Sequence, residues 1–164
     1  MWLFNRHRQQ PAPAPPRSVV LPEVVEAPLA LAERSEFMQR VAGAIARARE
    51  HDGTCALVAW ELRTLPGAAV DTETVRRSAA LLLRRLRADD VVTRYDERRY
   101  LALAAEADEP SARSAAFRIK RDLGMATPDA GKWLSGTAVF PRDGETPEQL
   151  IAAALQDVAE DLWR

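Results

Sequence analysis

The run TCALVAWEL at 54–62 constrains the fold more than any other stretch. Only Glu61 interrupts its apolar character, so a strand built from it has no polar face and must be covered on both sides, as the central strand of a layered α/β protein is. Cys55 inside the run reads as a small buried thiol, and as the single cysteine it has no partner for an internal disulfide.

The flanking segments supply the covers. From Ser35 onward, Phe37, Val41, Ile45 and Ala48 fall at steps of four and three, the spacing of one helical face, and Gly53 closes that region. After a loop holding Pro66 and Gly67, Asp71 or Thr72 can cap a second helix whose buried side carries Val75, Ala79, Leu82, Leu83 and Leu86. VVTRY and RRYLALAA then read as two strands of a hairpin. Its turn is charged, whereas hairpin turns usually take Gly, Asn or Asp to reach positive φ, and Asp96 is the residue here suited to that conformation. Pro110 opens a third helix over 110–123, which Gly124 ends. A strand centred on 134–140 follows. Thr146, Pro147 and Glu148 then start a final helix with Ile151, Leu155, Val158 and Leu162 on one face. The order α, β, α, β, β, α, β, α predicts an α/β sandwich, a central mixed or antiparallel sheet covered by helices.

Composition permits this in one domain: 164 residues, 47% hydrophobic and 29% charged, are enough for a single real core. The segment at 1–25 stands apart as a Pro/Ala-rich flexible tail, because QQPAPAPPRSVVLPEVVEAP has no buried period and favours extended backbone; the domain occupies 26–164. Ahead of that stretch, MWLFNRHR pairs bulky apolar residues with Arg6 and Arg8, a composition that suits weak contact with an anionic membrane or a partner as well as a frayed start. MWLF is too short for the apolar core of a signal peptide, and no run of about 18 apolar residues exists to span a membrane. The expected location is the cytoplasm, with recruitment to the inner face of the membrane as the tail's contribution. A formal net charge of −1 gives no bulk attraction for DNA or RNA. Of the 23 basic residues only Lys120 and Lys132 are lysines. Arginine forks suit phosphate and guanine, although a GC-rich coding sequence accounts for the bias equally well. His7 and His51 have no ligand partners at zinc spacing.

Two stretches, RYDERRYLALA and GTAVFPRDGETPEQLI, resemble the GGDEF domains, the diguanylate cyclases. The first stands where that family carries RYGGDEF and an apolar strand, and the second matches its SIGVA, YP, DG and helix pattern. LALAERSEF is similar to the family's TGLxNRRxF opening, keeping Leu31, Arg34 and Phe37, so the resemblance runs from about Glu26 to Arg164. It implies a degenerate member. The signature turn falls on Asp96, Glu97, Arg98, Arg99 and Tyr100, with bulk in place of the two glycines that let backbone approach GTP and Arg98 in place of a metal-binding acid. The acid's partner on the first strand falls on Glu61, and a second first-strand Asp falls on Arg63. The loop with the family's FKxxND and GHxxGD residues is shortened to TLPGAAVD, and the Lys of its YxAK motif has no match in VAEDLWR. The resemblance therefore implies no bound metal, no catalytic residue and no enzyme activity.

The same resemblance implies a retained ligand site. Arg87 and Asp90 have the spacing of the family's inhibitory RxxD motif for cyclic di-GMP, and Arg118 falls where the family places a further arginine on its third helix. An arginine fork can bond guanine N7 and O6 or a phosphate, and a carboxylate can accept from guanine N1 and N2 hydrogens. Arginines near a helix C-terminus are also favoured by the dipole alone, and Asp89 with Asp90 also reads as a turn pair. Trp133 and Trp163 offer either stacking surface or core. Arg84 and Arg85, one turn earlier, are expected to contribute little to binding. The implied function is a cyclic di-GMP receptor that regulates an unidentified protein partner, with no other cofactor. Ligand-dependent homodimers are compatible with it, because the family's ligand often binds as a stacked pair bridging two domains. The alternative is an interaction or assembly module that binds no nucleotide.

Overall fold

The computed structural model describes residues 31–161. The tail, the membrane or partner contact assigned to it, Leu162 and Trp163 lie outside the described residues. The elements are α1 Arg34–Glu50, β1 Cys55–Arg63, α2 Thr72–Arg85, β2 Val91–Arg94, β3 Arg99–Ala104, α3 Glu109–Ala126, β4 Lys132–Phe140 and α4 Pro147–Glu160. They form the expected sandwich around one four-stranded sheet of order β2-β3-β1-β4, and all its pairings are antiparallel.

β1 lies between β3 and β4, and its residues from Cys55 to Trp60 are buried, as a strand without a polar face requires. Alternation of side chains splits its load. Cys55, Leu57 and Ala59 join Phe37, Val41, Leu150 and Val158 beneath α1 and α4. Ala56, Val58, Trp60 and Leu62 join Leu82, Ile119 and Leu123 beneath α2 and α3. Trp60 Nε1 donates to the Ala116 carbonyl at 3.1 Å, which fixes the height of α3 on the sheet. Burial pushes the Cys55 thiol pKa up, consistent with a packing role.

The helix starts agree with their sequence signals: Asp71 caps α2 by accepting from the Thr74 N–H at 2.9 Å, and Thr146 caps α4. Two helices depart from expectation. In α2 the buried stripe is Thr74, Ser78, Leu81 and Leu82, and Val75, Ala79, Leu83 and Leu86 are only half-buried or flanking. The sheet presents Tyr100 and Trp133 at this place, so small hydroxyl side chains fit where larger apolar ones do not. Helix α3 runs through Gly124 to Ala126 and ends where the Thr127 N–H and hydroxyl both turn back to the Leu123 carbonyl, at 3.0 and 2.8 Å.

Both sheet edges are covered. Ala32 lies parallel to β2, donating to the Val92 carbonyl at 2.8 Å and accepting from the Thr93 hydroxyl at 2.8 Å. On the outer edge of β4, the N–H groups of Ser135, Thr137 and Val139 donate to the carboxylates of Asp161, Asp157 and Asp143 at 3.0, 2.8 and 2.7 Å. An added strand would need these same groups, so the domain is protected against edge pairing.

Candidate functional site

Two regions hold the residues singled out by sequence, and they lie at different places on the sheet. The first is the β2–β3 turn. Asp96 closes it with its side chain: the carboxylate accepts from the backbone N–H of Arg98 at 2.9 Å and of Arg99 at 3.0 Å, and from Arg99 Nε at 2.6 Å. Among the described residues the one non-glycine with positive φ is Asp52, so Asp96 does not take the left-handed conformation expected of it. An Asx-type side-chain bond does the work that positive φ does in other hairpins.

Arg98 reaches away from the strands, its Nη2 donating to the Ala68 carbonyl of the 64–71 loop at 3.0 Å. The loop folds tightly on itself, with Ala68 N–H donating to the Leu65 carbonyl. Glu61 faces Arg99 across the β1–β3 pairing and touches Arg63 Nε at 2.5 Å. Beneath the loop, the space bounded by Leu62, Ser78, Glu97, Arg98 and Trp133 leaves no room for a water molecule. Tyr100 is buried there, and burial pushes its hydroxyl pKa up. Trp133 is also core, not a stacking surface: it is 5% exposed, and its indole N–H donates to the Thr127 hydroxyl at 2.9 Å.

The second region is a cavity of about 300 Å³ between the C-terminal end of α2, strand β3 and α3. Arg87, Asp90 and Arg118 all line it, over a floor that includes Trp60 and Ala102. Arg87 and Asp90 sit in the turn that follows α2, where the Asp90 carboxylate accepts from the Arg87 N–H at 2.9 Å and the Asp90 N–H returns to the Arg87 carbonyl at 3.0 Å. Burial raises the Asp90 carboxyl pKa above the usual aspartate value, opposed by that N–H and by the Arg87 charge. Arg118 comes from the exposed side of α3.

Several other arginines on these helices are already paired, whereas Arg84 is unpaired among the described residues but exposed and away from the cavity. Arg76 and Arg77 hold Glu73, and Arg113 holds Glu109. Among the described residues, the guanidinium groups of Arg87 and Arg118 have neither a hydrogen-bond nor an ion-pair partner, yet both line the cavity.

Arg85, grouped with Arg84 in the sequence reading, has different surroundings. It lines the same cavity and forms an ion pair with Asp122 at 2.9 Å, so it does not serve as a neutral control beside Arg84. The helix ends at Arg85 and Leu86 is extended, at φ −86° and ψ 156°, which brings positions 85 and 87 to one cavity although helical spacing would separate them. Only a helix end located to the residue would have revealed this.

No family model and no curated protein matches the sequence. The three-dimensional likeness to solved domains is extensive. A sensory box/GGDEF family protein from Caulobacter crescentus is 20% identical, with a TM-score of 0.64 over 81% of this chain and 94% of that one. The GGDEF domain of DgcB from Caulobacter crescentus, solved in complex with c-di-GMP, is 16% identical, with a TM-score of 0.68 over 81% and 84% of the two chains. The active GGEEF domain of a diguanylate cyclase from Vibrio cholerae is 11% identical, with a TM-score of 0.70 over 80% and 90%. Element order, the antiparallel sheet and the covering helices thus place this chain in the GGDEF fold.

Proposed function

We propose that this domain is a catalytically inactive GGDEF domain that binds cyclic di-GMP in the α2–α3 cavity and conveys the bound state to a protein partner. The observation that carries the reading is the convergence of Arg87, Asp90 and Arg118 on one cavity, with both arginine forks left unpaired among the described residues. A volume of about 300 Å³ lies at the small end of ligand sites and suits a guanine base with its adjoining phosphate. The forks supply donors to guanine N7 and O6 or to phosphate oxygens, and the Asp90 carboxylate supplies acceptors for guanine N1 and N2 hydrogens. The solved relative in complex with c-di-GMP supports the choice of ligand.

Inactivity rests on the other region. A divalent cation needs oxygen ligands, and the residues present do not fit one: Arg98 brings a permanent charge, and the Glu61 carboxylate is held by Arg63.

The test is calorimetric titration with cyclic di-GMP, with GTP as control. A charge-assisted hydrogen bond is worth roughly 1.5 to 3 kcal/mol, so Arg87→Ala, Asp90→Ala and Arg118→Ala are each expected to weaken binding by about ten- to a hundredfold. Arg84→Ala, exposed and away from the cavity, is expected to cost far less. No binding by the wild type at tens of micromolar ligand, or equal effects of the Arg84 and Arg87 substitutions, would overturn the receptor reading in favour of a nucleotide-independent assembly module.

The same titration carries a pH signature. Guanine N–H donors favour ionised Asp90, so affinity is expected to fall as pH drops through its raised pKa, at a higher pH than an ordinary aspartate near about 3.9 would give. Without ligand the sign is opposite: the ionised, half-buried carboxylate costs stability above its folded pKa, and acidification relieves that cost. An affinity that stays flat down to the ordinary aspartate range would show that Asp90 does not meet the guanine edge.

A further inference from the structure

Asp122 is 4% exposed on α3, and it faces the end of α2. Its carboxylate pairs with Arg85 Nε at 2.9 Å, and Arg121 Nη2 stands farther off at 3.8 Å. A buried carboxylate fixes its partner more strictly than an exposed one does, because losing the partner leaves an uncompensated charge in a medium that solvates it poorly. Arg85 in turn has its side chain half exposed and lines the cavity with Arg87 and Arg118. Its Nε stands against Asp122 as an ion pair, and a guanidinium has five N–H donors, so most of the fork is free for another acceptor.

The geometry points to Arg85 as a further ligand-contacting residue of this cavity, with Asp122 as the positioning residue that holds its fork. The inference rests on the proposed function and deepens it. The acceptor is a phosphate of the dinucleotide, which a planar, pre-aligned guanidinium binds through two parallel bonds. The pair also joins the two walls of the cavity, since Arg85 ends α2 and Asp122 belongs to α3. With Arg85, three arginines face the cavity, a number better matched to a ligand with two phosphates than the two recognised from the sequence.

The test is a double-mutant cycle read by calorimetric titration with cyclic di-GMP, with melting temperature recorded for each protein without ligand. Arg85→Ala is expected to weaken binding about tenfold. Arg85→Lys keeps the charge and loses the fork, and is expected to weaken it nearly as much. Asp122→Asn is expected to weaken binding severalfold in the wild type and to have no further effect on affinity in the Arg85→Ala background. That double variant lacks both charges and leaves no buried carboxylate unpaired, so its affinity still reports the loss of the Arg85 fork where Arg85→Ala alone folds poorly. Binding by the double variant equal to wild type, with Arg87→Ala still deleterious, would overturn this inference and leave the receptor reading intact. Equal losses from Asp122→Asn in both backgrounds would show that Asp122 acts on the fold and not through Arg85. Absence of wild-type binding would remove both readings together.

Discussion

Incubated with GTP and Mg²⁺ or Mn²⁺, the purified protein is expected to yield no cyclic di-GMP above a heat-inactivated control, measured by chromatography with mass detection. The physical cause is charge. Phosphoryl chemistry depends on a divalent ion to neutralise the developing negative charge, and the ion needs carboxylates to hold it. At the positions that the family resemblance aligns with its metal ligands stand Arg98 and Glu61, and Glu61 is paired with Arg63. Two unit charges at about 4 Å interact by roughly 4 kcal/mol at an effective dielectric of 20. Exchanging an attractive carboxylate for a repulsive guanidinium beside a doubly charged ion shifts the balance by several times that. Since 1.36 kcal/mol is a factor of ten in rate, the expected loss spans many orders of magnitude.

Restoring Gly, Gly, Asp, Glu and Phe at positions 96 to 100 is expected not to recover turnover. Arg63 would remain on Glu61, and the shortened loop would remain packed over a space that admits no water. The change would also remove Asp96, whose carboxylate holds the turn closed through three hydrogen bonds. Reproducible turnover by wild type free of contaminating cyclases would sink the inactive reading. Turnover by the restored variant alone would show that the loop is no obstacle.

The parts of the fold that were legible in the sequence are those where one requirement dominates. A run like TCALVAWEL has no polar face to expose, so its central place follows, and β1 indeed lies between β3 and β4. Asp71 and Thr146 were legible as caps because a short oxygen-bearing side chain before a helical period has few other uses. Misreadings fall where tertiary fit competes with a local rule. The stripe of larger apolar residues predicted for α2 yields to Thr74 and Ser78 because Tyr100 and Trp133 occupy the space opposite. Gly124 signals a helix stop, but Thr127 supplies a better one three residues later. Asp96 was expected to bend its backbone, and it uses its side chain instead. For the candidate site, the family resemblance pointed to Arg87, Asp90 and Arg118, and all three line the same cavity. Arg85 and Asp122 stayed hidden, because their pairing depends on how two helices pack and on the residue at which α2 ends.

Two glycines that look alike in the sequence are expected to respond oppositely to alanine. At Gly136, in the middle of β4, an added Cβ would stand 2.3 Å from the Ala154 carbonyl oxygen, 2.4 Å from the Val158 nitrogen and 2.9 Å from the Asp157 carbonyl carbon. All three are backbone atoms of α4, so no side-chain rotation relieves the clash and the helix must lift off the strand. Lifting it strains the bonds from Thr137 to Asp157 and from Ser135 to Asp161, and it opens the packing of Leu150, Ala154 and Val158. Gly136→Ala is therefore expected to cost at least about 3 kcal/mol, at the upper end of overpacking effects, and to lower the melting temperature by about 10 °C or more. Against a total stability of roughly 5 to 15 kcal/mol, that loss threatens the fold itself. At Gly124, inside α3, an added Cβ meets nothing within 4 Å. Alanine there removes backbone freedom from the unfolded chain and is expected to add about 0.5 to 1 kcal/mol. Urea and thermal melts of the two variants decide the matter. A Gly136→Ala protein that melts like wild type would show that α4 is not seated against β4 through this residue. Because Gly136 faces α4, on the side of the sheet away from the α2–α3 cavity, the folded fraction of Gly136→Ala should keep the wild-type affinity for cyclic di-GMP. Loss of affinity by the folded protein would mean that the two layers are coupled through β1, whose side chains alternate between them.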